Sequence, residues 1–301
     1  MKRIFAMLLA LLLVCSLAAC SKDENTNDEP TDLTVTSNEQ YYTAGGTYND
    51  RFEYEIINGN EVAIIGFVSD YTPHEITIPS TIEDCPVVEI SDGAFYQCSQ
   101  LTAVKLPASV TIIGDMAFAG CVQLTAVTLT DAVTLQSIGD YAFAYCNKLT
   151  TVAIPASVTH LGAGAFLQCT ELTSINIPDV TLDAANNVVG GVTALGDMIF
   201  MGCEKLATVT GGNSLVAIGE YAFCGCKALA SYTVPATATT VGAHAFSLCD
   251  ALTAVSFANT TGWCYLADAA NNTYQTIEVT DAAQVVLSLK AEWAGLTLIR
   301  K

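Results

Sequence analysis

The chain has 301 residues, a net charge of −19 at pH 7 and 51% hydrophobic residues. This excess of acidic side chains repels nucleic acid and anionic lipid headgroups, so it argues against nucleic-acid binding. The apolar fraction is high enough for a long hydrophobic core.

The first twenty residues have the layout of a secretory signal peptide. Two basic residues precede an apolar run over residues 4–14, which is too short to span a bilayer. The run leads to Leu-Ala-Ala-Cys at residues 17–20, which resembles the bacterial lipobox, whose cysteine is diacylated and becomes the new N-terminus. We therefore expect residues 1–19 to be a lipoprotein signal peptide and Cys20 to be lipidated and attached to the membrane. A soluble secreted protein is the alternative.

Residues 20–49 are predicted to be the lipidated cysteine and a flexible acidic tether, because residues 21–32 carry almost no apolar side chains. The tether begins with Lys22-Asp23-Glu24, which is similar to acidic signals that send some Gram-negative lipoproteins to the outer leaflet. A solvated linker explains these residues equally well. The expected location is the bacterial envelope, at the outer membrane and facing outward.

Residues 50–84 are predicted to form an N-terminal cap. A strand from Phe52 is followed by a turn at Asn58-Gly59 and a second strand over residues 61–67. The chain then continues through Ile-Thr-Ile-Pro at residues 76–79 into a repeat.

Seven repeats occupy residues 85–257. Each is aligned on a phenylalanine followed three residues later by cysteine and three further on by leucine, and successive phenylalanines are 23, 25, 23, 34, 23 and 23 residues apart. This period is typical of leucine-rich repeats, which stack as a solenoid. The phenylalanines are Phe95, Phe118, Phe143, Phe166, Phe200, Phe223 and Phe246.

One unit illustrates the expected coil. Residues 101–106 predict a short strand with Leu101, Val104 and Leu106 pointing inward. Residues 110–113 are a second apolar stretch, and residues 115–121 predict one or two helical turns. Acidic residues share the position that begins these turns, where they are expected to cap free amides, with cation binding as the alternative. They are Asp92, Asp115, Asp140, Asp197 and Glu220.

The repeated cysteines are expected to be buried free thiols that act as small hydrophobic side chains. A disulfide ladder would need a geometry that parallel side chains fit poorly, and zinc needs four ligands that converge on a point. A disulfide between Cys85 and Cys264 is not expected, because they lie at opposite ends of the repeat. The repeated cysteines are Cys98, Cys121, Cys146, Cys169, Cys203, Cys226 and Cys249.

Two segments depart from the repeat. One unit gains eleven residues, and this insertion at residues 179–197 is expected to loop out on one face. Residues 258–301 lose the pattern and are predicted to form a C-terminal cap, with a helix from Asp281 to Trp293.

The pattern Ile-Pro-Ala-Ser-Val-Thr-x-Ile/Leu-Gly-x-x-Ala-Phe-x-x-Cys-x-x-Leu-Thr-x-Val, read across residues 107–127 and 154–175, resembles the BspA-like leucine-rich repeat family. The resemblance covers about residues 50–257. It implies a right-handed coil of short parallel β-strands and short helical turns, and a surface or secreted protein, sometimes an adhesin. Ser91 and Gly211-Gly212 depart from the pattern.

No catalytic constellation is evident, so we expect a protein without enzymatic activity, cofactor or metal. The three histidines occupy different repeat positions, and no metalloprotease, phosphate-binding or dinucleotide-binding motif occurs. An enzyme would require the insertion to bring Asp179, Asp183 and Asp197 together with a further partner.

The outward strand positions form a flat ribbon rich in hydroxyl groups. This composition fits both a recognition face and simple β-propensity with solubility. The expected partner is a host or microbial surface protein; the alternatives are a glycan or nutrient ligand and a structural spacer without a ligand. Four tyrosines near the predicted helical turns, Tyr96, Tyr141, Tyr145 and Tyr221, could serve another edge, but the expectation for them is partial burial beside phenylalanine. The candidate ligand-binding residues are Thr102, Lys105, Thr125, Thr128, Thr151, Ser174, Asn176, Thr208 and Thr210.

Overall fold

The computed structural model describes residues 44–69, 71–129, 132–268, 272–290 and 293–301. The predicted signal peptide, the lipidation of Cys20 and most of the predicted tether lie outside these described residues. Among the described residues, no helix combines the length and the hydrophobicity that a membrane crossing requires.

Three antiparallel strands begin the described fold: β1 (Ala44–Tyr48), β2 (Phe52–Ile57) and β3 (Glu61–Phe67). The predicted turn at Asn58-Gly59 joins β2 to β3, and both turn residues have positive φ. Strand β1 lies inside the range predicted as tether, so the folded part begins before residue 50.

Short strands continue through the repeats and the insertion. They are β4 (Glu75–Thr77), β5 (Thr81–Ile82), β6 (Cys85–Ile90), β7 (Ala103–Lys105), β8 (Ile112–Ile113), β9 (Ala126–Thr128), β10 (Ser137–Ile138), β11 (Thr151–Val152), β12 (His160–Leu161), β13 (Ser174–Ile177), β14 (Thr181–Leu182), β15 (Val188–Gly190), β16 (Ala194–Leu195), β17 (Thr208–Gly211), β18 (Ala217–Ile218), β19 (Ser231–Val234), β20 (Thr240–Val241) and β21 (Ala254–Phe257).

Each coil contributes one strand to each of two faces, and the strands contributed by successive coils are parallel within each face. The ribbon face contains β4, β7, β9, β11, β13, β17, β19 and β21, and its strands stack residue on residue, as with Val104 on Val127. The opposite face contains β6, β8, β10, β12, β16, β18 and β20, with Ile113 beside Ile138. The predicted leucine-rich-repeat solenoid of short parallel strands is therefore confirmed.

The corners between the two faces differ from the prediction, because they are tight turns and not helical turns. In the corner over residues 115–121, Met116 and Gly120 both have positive φ, which interrupts any helix. The only helix among the described residues is α1 (Ala282–Lys290), which lies within the range predicted for the C-terminal helix. Asp281 caps α1 by accepting hydrogen bonds from two backbone amides.

A column of phenylalanine rings fills the core. The seven repeat phenylalanines are all buried, and consecutive ring centroids are 5.2 to 5.8 Å apart. The strand residues Leu101, Val104 and Leu106 point inward beside this column, as predicted. No coil buries these side chains alone, so each coil depends on its neighbours for stability.

The C-terminal segment covers the last coils. Strands β22 (Trp263–Asp268), β23 (Thr273–Thr276) and β24 (Leu298–Arg300) extend the opposite face in the order β20-β24-β22-β23, and each of these pairs is antiparallel. Helix α1 packs on β21 at the end of the ribbon face, where Lys290 donates a hydrogen bond to the backbone oxygen of Leu252. Trp263 is buried against Phe257, with ring centroids 4.8 Å apart.

Candidate binding surface

The candidate ligand-binding residues lie in columns along the ribbon face, because the parallel register places equivalent positions side by side. Lys105 lies beside Thr128, and Asn176 lies beside Thr210. A second column runs through Thr151, Ser174 and Thr208. The exposed members of the set are Lys105, Thr125, Thr151, Asn176, Thr208 and Thr210, whereas Thr102, Thr128 and Ser174 are half-buried.

Three of the candidate threonines have a structural use that the sequence did not reveal, and one of them, Thr210, donates a 3.0 Å hydrogen bond to the side-chain oxygen of Asn176. The Thr102 hydroxyl donates a 2.8 Å hydrogen bond to the backbone oxygen of His74, and the Thr125 hydroxyl donates a 3.0 Å bond to the backbone oxygen of Thr102. Thr173 and Thr253 repeat this contact with the preceding coil. These hydroxyls therefore tie adjacent coils together and help to hold the ribbon in one shape.

A cavity of about 470 Å³ lies at the N-terminal end of the ribbon. Arg51 and Tyr71 line one side of the cavity, and Glu75, Thr77 and Lys105 contribute from β4 and β7. The guanidinium carbon of Arg51 lies 5.9 Å from the centre of the Tyr71 ring, which is a cation–π distance. Sequence reasoning identified Lys105 here but missed Arg51 and Tyr71, which lie outside the repeats.

The repeated acidic residues form a ladder between coils. The carboxylate of Asp115 accepts a 2.7 Å hydrogen bond from the backbone amide of Asp140, and Asp140 accepts one of 2.6 Å from the amide of Ala163. Asp92 and Asp197 make the same contact with the next coil. The expectation that these acids cap a helical turn was therefore wrong, because the amide that each of these four binds belongs to the following coil.

The repeated cysteines are free thiols, as predicted, and six of the seven are fully buried. Cys98 begins the ladder and differs from the expectation because it is only half-buried. Burial raises the pKa of the Cys98 thiol to about 11 and raises the pKa of Cys146 and Cys169 well above the ordinary value. These thiols are therefore protonated and inert at neutral pH. Cys85 and Cys264 are also free.

A separate cluster of apolar and aromatic side chains lies along the corners. Tyr141, Tyr145, Met198 and Met201 are half-buried and pack around three small or buried side chains, Ala119, Ala144 and Leu167. Nearby, the rings of Tyr221 and His244 stack 4.8 Å apart beside a cavity of about 580 Å³. Tyr141, Tyr145 and Tyr221 are therefore half-buried, as expected, whereas Tyr96 is exposed.

The acids proposed for an enzymatic alternative do not converge. Asp179 accepts hydrogen bonds from Asn213 and from the backbone amide of Ser214. Asp183 binds Asn187 inside the insertion, a contact that lowers the pKa of the Asp183 carboxyl. Asp197 belongs to the acid ladder, where its carboxylate accepts a hydrogen bond from the backbone amide of Glu220.

The insertion and the histidines likewise form no catalytic cluster among the described residues. Strands β14 and β15 pair as an antiparallel hairpin that exposes Leu182 and Val188. His244 lies 3.2 Å from the Ser247 hydroxyl inside one corner, but no carboxylate is hydrogen-bonded to that histidine in the described chain. Among the described residues, no group of three histidine, cysteine or acidic side chains could hold a metal ion.

Comparison with known proteins agrees with this architecture. The sequence profile of the BspA type leucine rich repeat region matches residues 88–189 and 185–265, with six copies. A leucine rich repeat protein from T. pallidum is 27% identical with a TM-score of 0.59, and the match covers 68% of this chain and 90% of that one. No curated protein matches the chain.

A leucine rich cell surface protein from Faecalibacterium prausnitzii is 31% identical with a TM-score of 0.65. The match covers 77% of this chain and 60% of that protein, so this chain spans about 60% of its length. Solenoids of this type are typically binding modules and not enzymes. The repeat profile covers more than half of the sequence, and the chain belongs to the BspA type leucine rich repeat family.

Proposed function

We propose that the chain is a lipid-anchored surface protein that binds a protein partner through its ribbon face, with a role in adhesion to host or neighbouring microbial cells. The observation that carries the proposal is the ribbon itself. Small polar side chains project from consecutive parallel strands in fixed register, as from Thr151, Ser174 and Thr208. Such a preorganised face loses little conformational freedom when a partner binds.

The surface location is supported by the family and by the Faecalibacterium relative, whose name describes a cell surface protein. The lipobox-like sequence that ends at Cys20 supports attachment through a lipid. Radioactive palmitate supplied to expressing bacteria should label the wild type and not a Cys20→Ala variant. Equal labelling of both would refute the anchor.

The ribbon is tested by a binding screen with the full-length chain in detergent. The panel contains extracellular-matrix proteins and polysaccharides. The test variant carries Thr128→Lys, Thr151→Lys and Asn176→Lys. The control variant carries Gln136→Lys, His160→Lys and Thr193→Lys, which add the same charge to the opposite face. Saturable protein binding that only the ribbon variant loses supports the proposal, and equal loss in both variants contradicts it.

Glycan or nutrient binding is the second candidate, and the stacked pair of Tyr221 and His244 favours it. Sugars stack on aromatic faces, and this pair borders a cavity that Asp250 and Lys290 also line. Polysaccharide binding that survives the ribbon substitutions and disappears with Tyr221→Ala would establish this candidate.

A further inference from the structure

The two ends of the ribbon sheet differ in the elements that pack against them. At the C-terminal end, helix α1 packs on the last strand, β21. At the N-terminal end, β4 pairs with β7 on one side only and is the edge strand of its sheet. The N-terminal strands β1 to β3 extend the opposite face, and no strand among the described residues pairs with this edge of the ribbon.

The edge presents unused backbone groups. Along a strand that pairs in parallel, every second residue forms its backbone hydrogen bonds with a given neighbouring strand. The backbone groups of the residues between them point to the other side. The oxygen of His74 and the amide of Ile78 both bond to the coil that carries β7, which orients the backbone groups of Glu75 and Thr77 away from β7. Within the part of the chain that the structure describes, no hydrogen bond to the amides of Glu75 and Thr77 is observed.

The same edge borders the 470 Å³ cavity, whose charge differs from that of the rest of the chain. Among the residues that the structure describes, the cavity lining contains the guanidinium of Arg51 and one acidic side chain, Glu75, whereas the chain as a whole carries a net charge of −19. The acidic surface as a whole repels an acidic ligand, whereas the guanidinium of Arg51 can pair with a carboxylate here. The ring of Tyr71 adds an apolar wall beside the guanidinium of Arg51.

We propose that the groove along β4 binds an extended peptide segment that carries an acidic side chain, adding it as a strand to the ribbon sheet. The open amide of Thr77 donates to the backbone of the segment, and Arg51 binds its carboxylate. Strand addition supplies affinity through main-chain hydrogen bonds, and the charged pocket supplies specificity. This inference rests on the proposed function of the ribbon and names the chemistry of the partner at one end of it.

The probe is a phage-displayed library of random heptapeptides, selected on the immobilised full-length chain. The selected peptides are then synthesised with a fluorescent label and titrated by anisotropy. Thr77→Pro removes the outward amide and leaves the bonds between β4 and β7 in place, since proline is tolerated where an edge-strand amide faces away from the ladder. Thr77→Ala is its matched control, because it removes the side chain and keeps the amide.

We expect the selected peptides to be rich in Asp or Glu, and Thr77→Pro to weaken their binding about tenfold while Thr77→Ala binds like the wild type. Arg51→Gln should also weaken binding about tenfold, whereas Lys148→Gln, which removes a distant charge, should have no effect. Thermal unfolding confirms that each variant is folded.

Three results would overturn the proposal: no enriched peptides, enriched peptides without acidic residues, or equal binding by wild type and Thr77→Pro. Concentration-dependent association of the wild type that Thr77→Pro abolishes would make a second copy of this chain the occupant and would also overturn it. The ribbon screen uses other residues and ligands, so either experiment can fail while the other succeeds.

Discussion

The Sγ of Cys146 donates a hydrogen bond to the backbone oxygen of Phe118 in the preceding coil, 3.3 Å away. The same contact recurs from Cys121, Cys169, Cys203, Cys226 and Cys249 to the phenylalanine one coil earlier. Only a protonated thiol can donate this bond. The hydrogen bonds that these cysteines donate between adjacent coils therefore require the buried thiols to stay protonated.

Alkaline pH is expected to destabilise the fold steeply. The buried thiols keep their protons because burial raises their pKa well above the ordinary value of 9.0. The unfolded chain loses those protons above pH 9, so the folded state binds more protons and the free energy of unfolding falls as pH rises. Each buried thiol contributes up to about 1.4 kcal/mol per pH unit. Urea unfolding between pH 8 and 10.5 measures the slope.

The control for this effect is Cys146→Ala. It removes one titrating thiol, so the slope above pH 9 should become shallower by up to about 1.4 kcal/mol per pH unit. The comparison uses the slope because the substitution also lowers stability at every pH. An identical slope in the wild type and the variant would show that the ladder does not carry the pH dependence.

Alkylation should distinguish the first cysteine of the ladder from the rest. Cys98 is half-buried and has a pKa of about 11, so its reaction with iodoacetamide should rise about tenfold per pH unit between pH 8 and 10. Cys146 and Cys169 should stay unmodified until urea unfolds the chain. Mass spectrometry of tryptic peptides measures both. Modification of Cys146 in the native state as fast as Cys98 would contradict the buried ladder.

The ring of Tyr141 packs against Gly164 in the corners. Alanine substitutions at Gly164 and at Gly225 should therefore lower the free energy of unfolding by different amounts. Gly164 has a φ of 59°, and a Cβ there would lie 2.5 Å from atoms of the Tyr141 ring. Gly225 has a φ of 76° but its Cβ would meet nothing closer than 3.5 Å. Gly164→Ala should therefore lower the free energy of unfolding by about 2–4 kcal/mol, and Gly225→Ala by about 1–2 kcal/mol.

The clash can be separated from backbone strain by a double substitution. Removing the ring with Tyr141→Ala should recover part of the loss caused by Gly164→Ala and none of the loss caused by Gly225→Ala. Urea denaturation followed by circular dichroism measures all five variants. Strictly additive effects of Tyr141→Ala and Gly164→Ala would refute the contact.

The acid ladder should contribute to stability through a hydrogen bond and not through charge. Asp115→Ala removes the acceptor of the 2.7 Å bond from the amide of Asp140 and should lower the free energy of unfolding by about 1–2 kcal/mol. Asp115→Asn keeps an acceptor oxygen and should cost less than half as much. Asp250→Ala, at an exposed acid, controls for the change in charge. Equal losses for Asp115→Ala and Asp250→Ala would count against the ladder.

The sequence predicts much of the fold because the repeat is a one-dimensional signal. The period places Phe118 and Cys121 at the same depth as Phe143 and Cys146, and the alternation around Val104 identifies the inward side of the ribbon. Both follow from the need of every coil to bury the same face against its neighbours. The hairpin turn at Asn58-Gly59 is a local signal, and the structure confirms it.

The corners were predicted less well because residues other than glycine occupy some of their left-handed backbone positions. Met116, Tyr141 and Met198 all adopt positive φ, which side chains other than glycine rarely adopt, so a helical turn was the natural expectation. The following coil stabilises this conformation by accepting hydrogen bonds from alternate amides of the corner, such as those of Met116 and Phe118. Local propensity could not reveal a backbone state that depends on neighbouring coils.

The sequence by itself therefore determined the repeat, its buried face and the family to which the chain belongs. Only the tertiary structure decided the partners of Asp115, Cys146 and Thr125, since each bonds to a backbone group one coil away in the stack. It also decided that helix α1 covers β21, while β4, beside Arg51, pairs with no second strand in the described part of the chain. Such relationships depend on how distant segments meet at the ends of the stack, and no local pattern of residues specifies them.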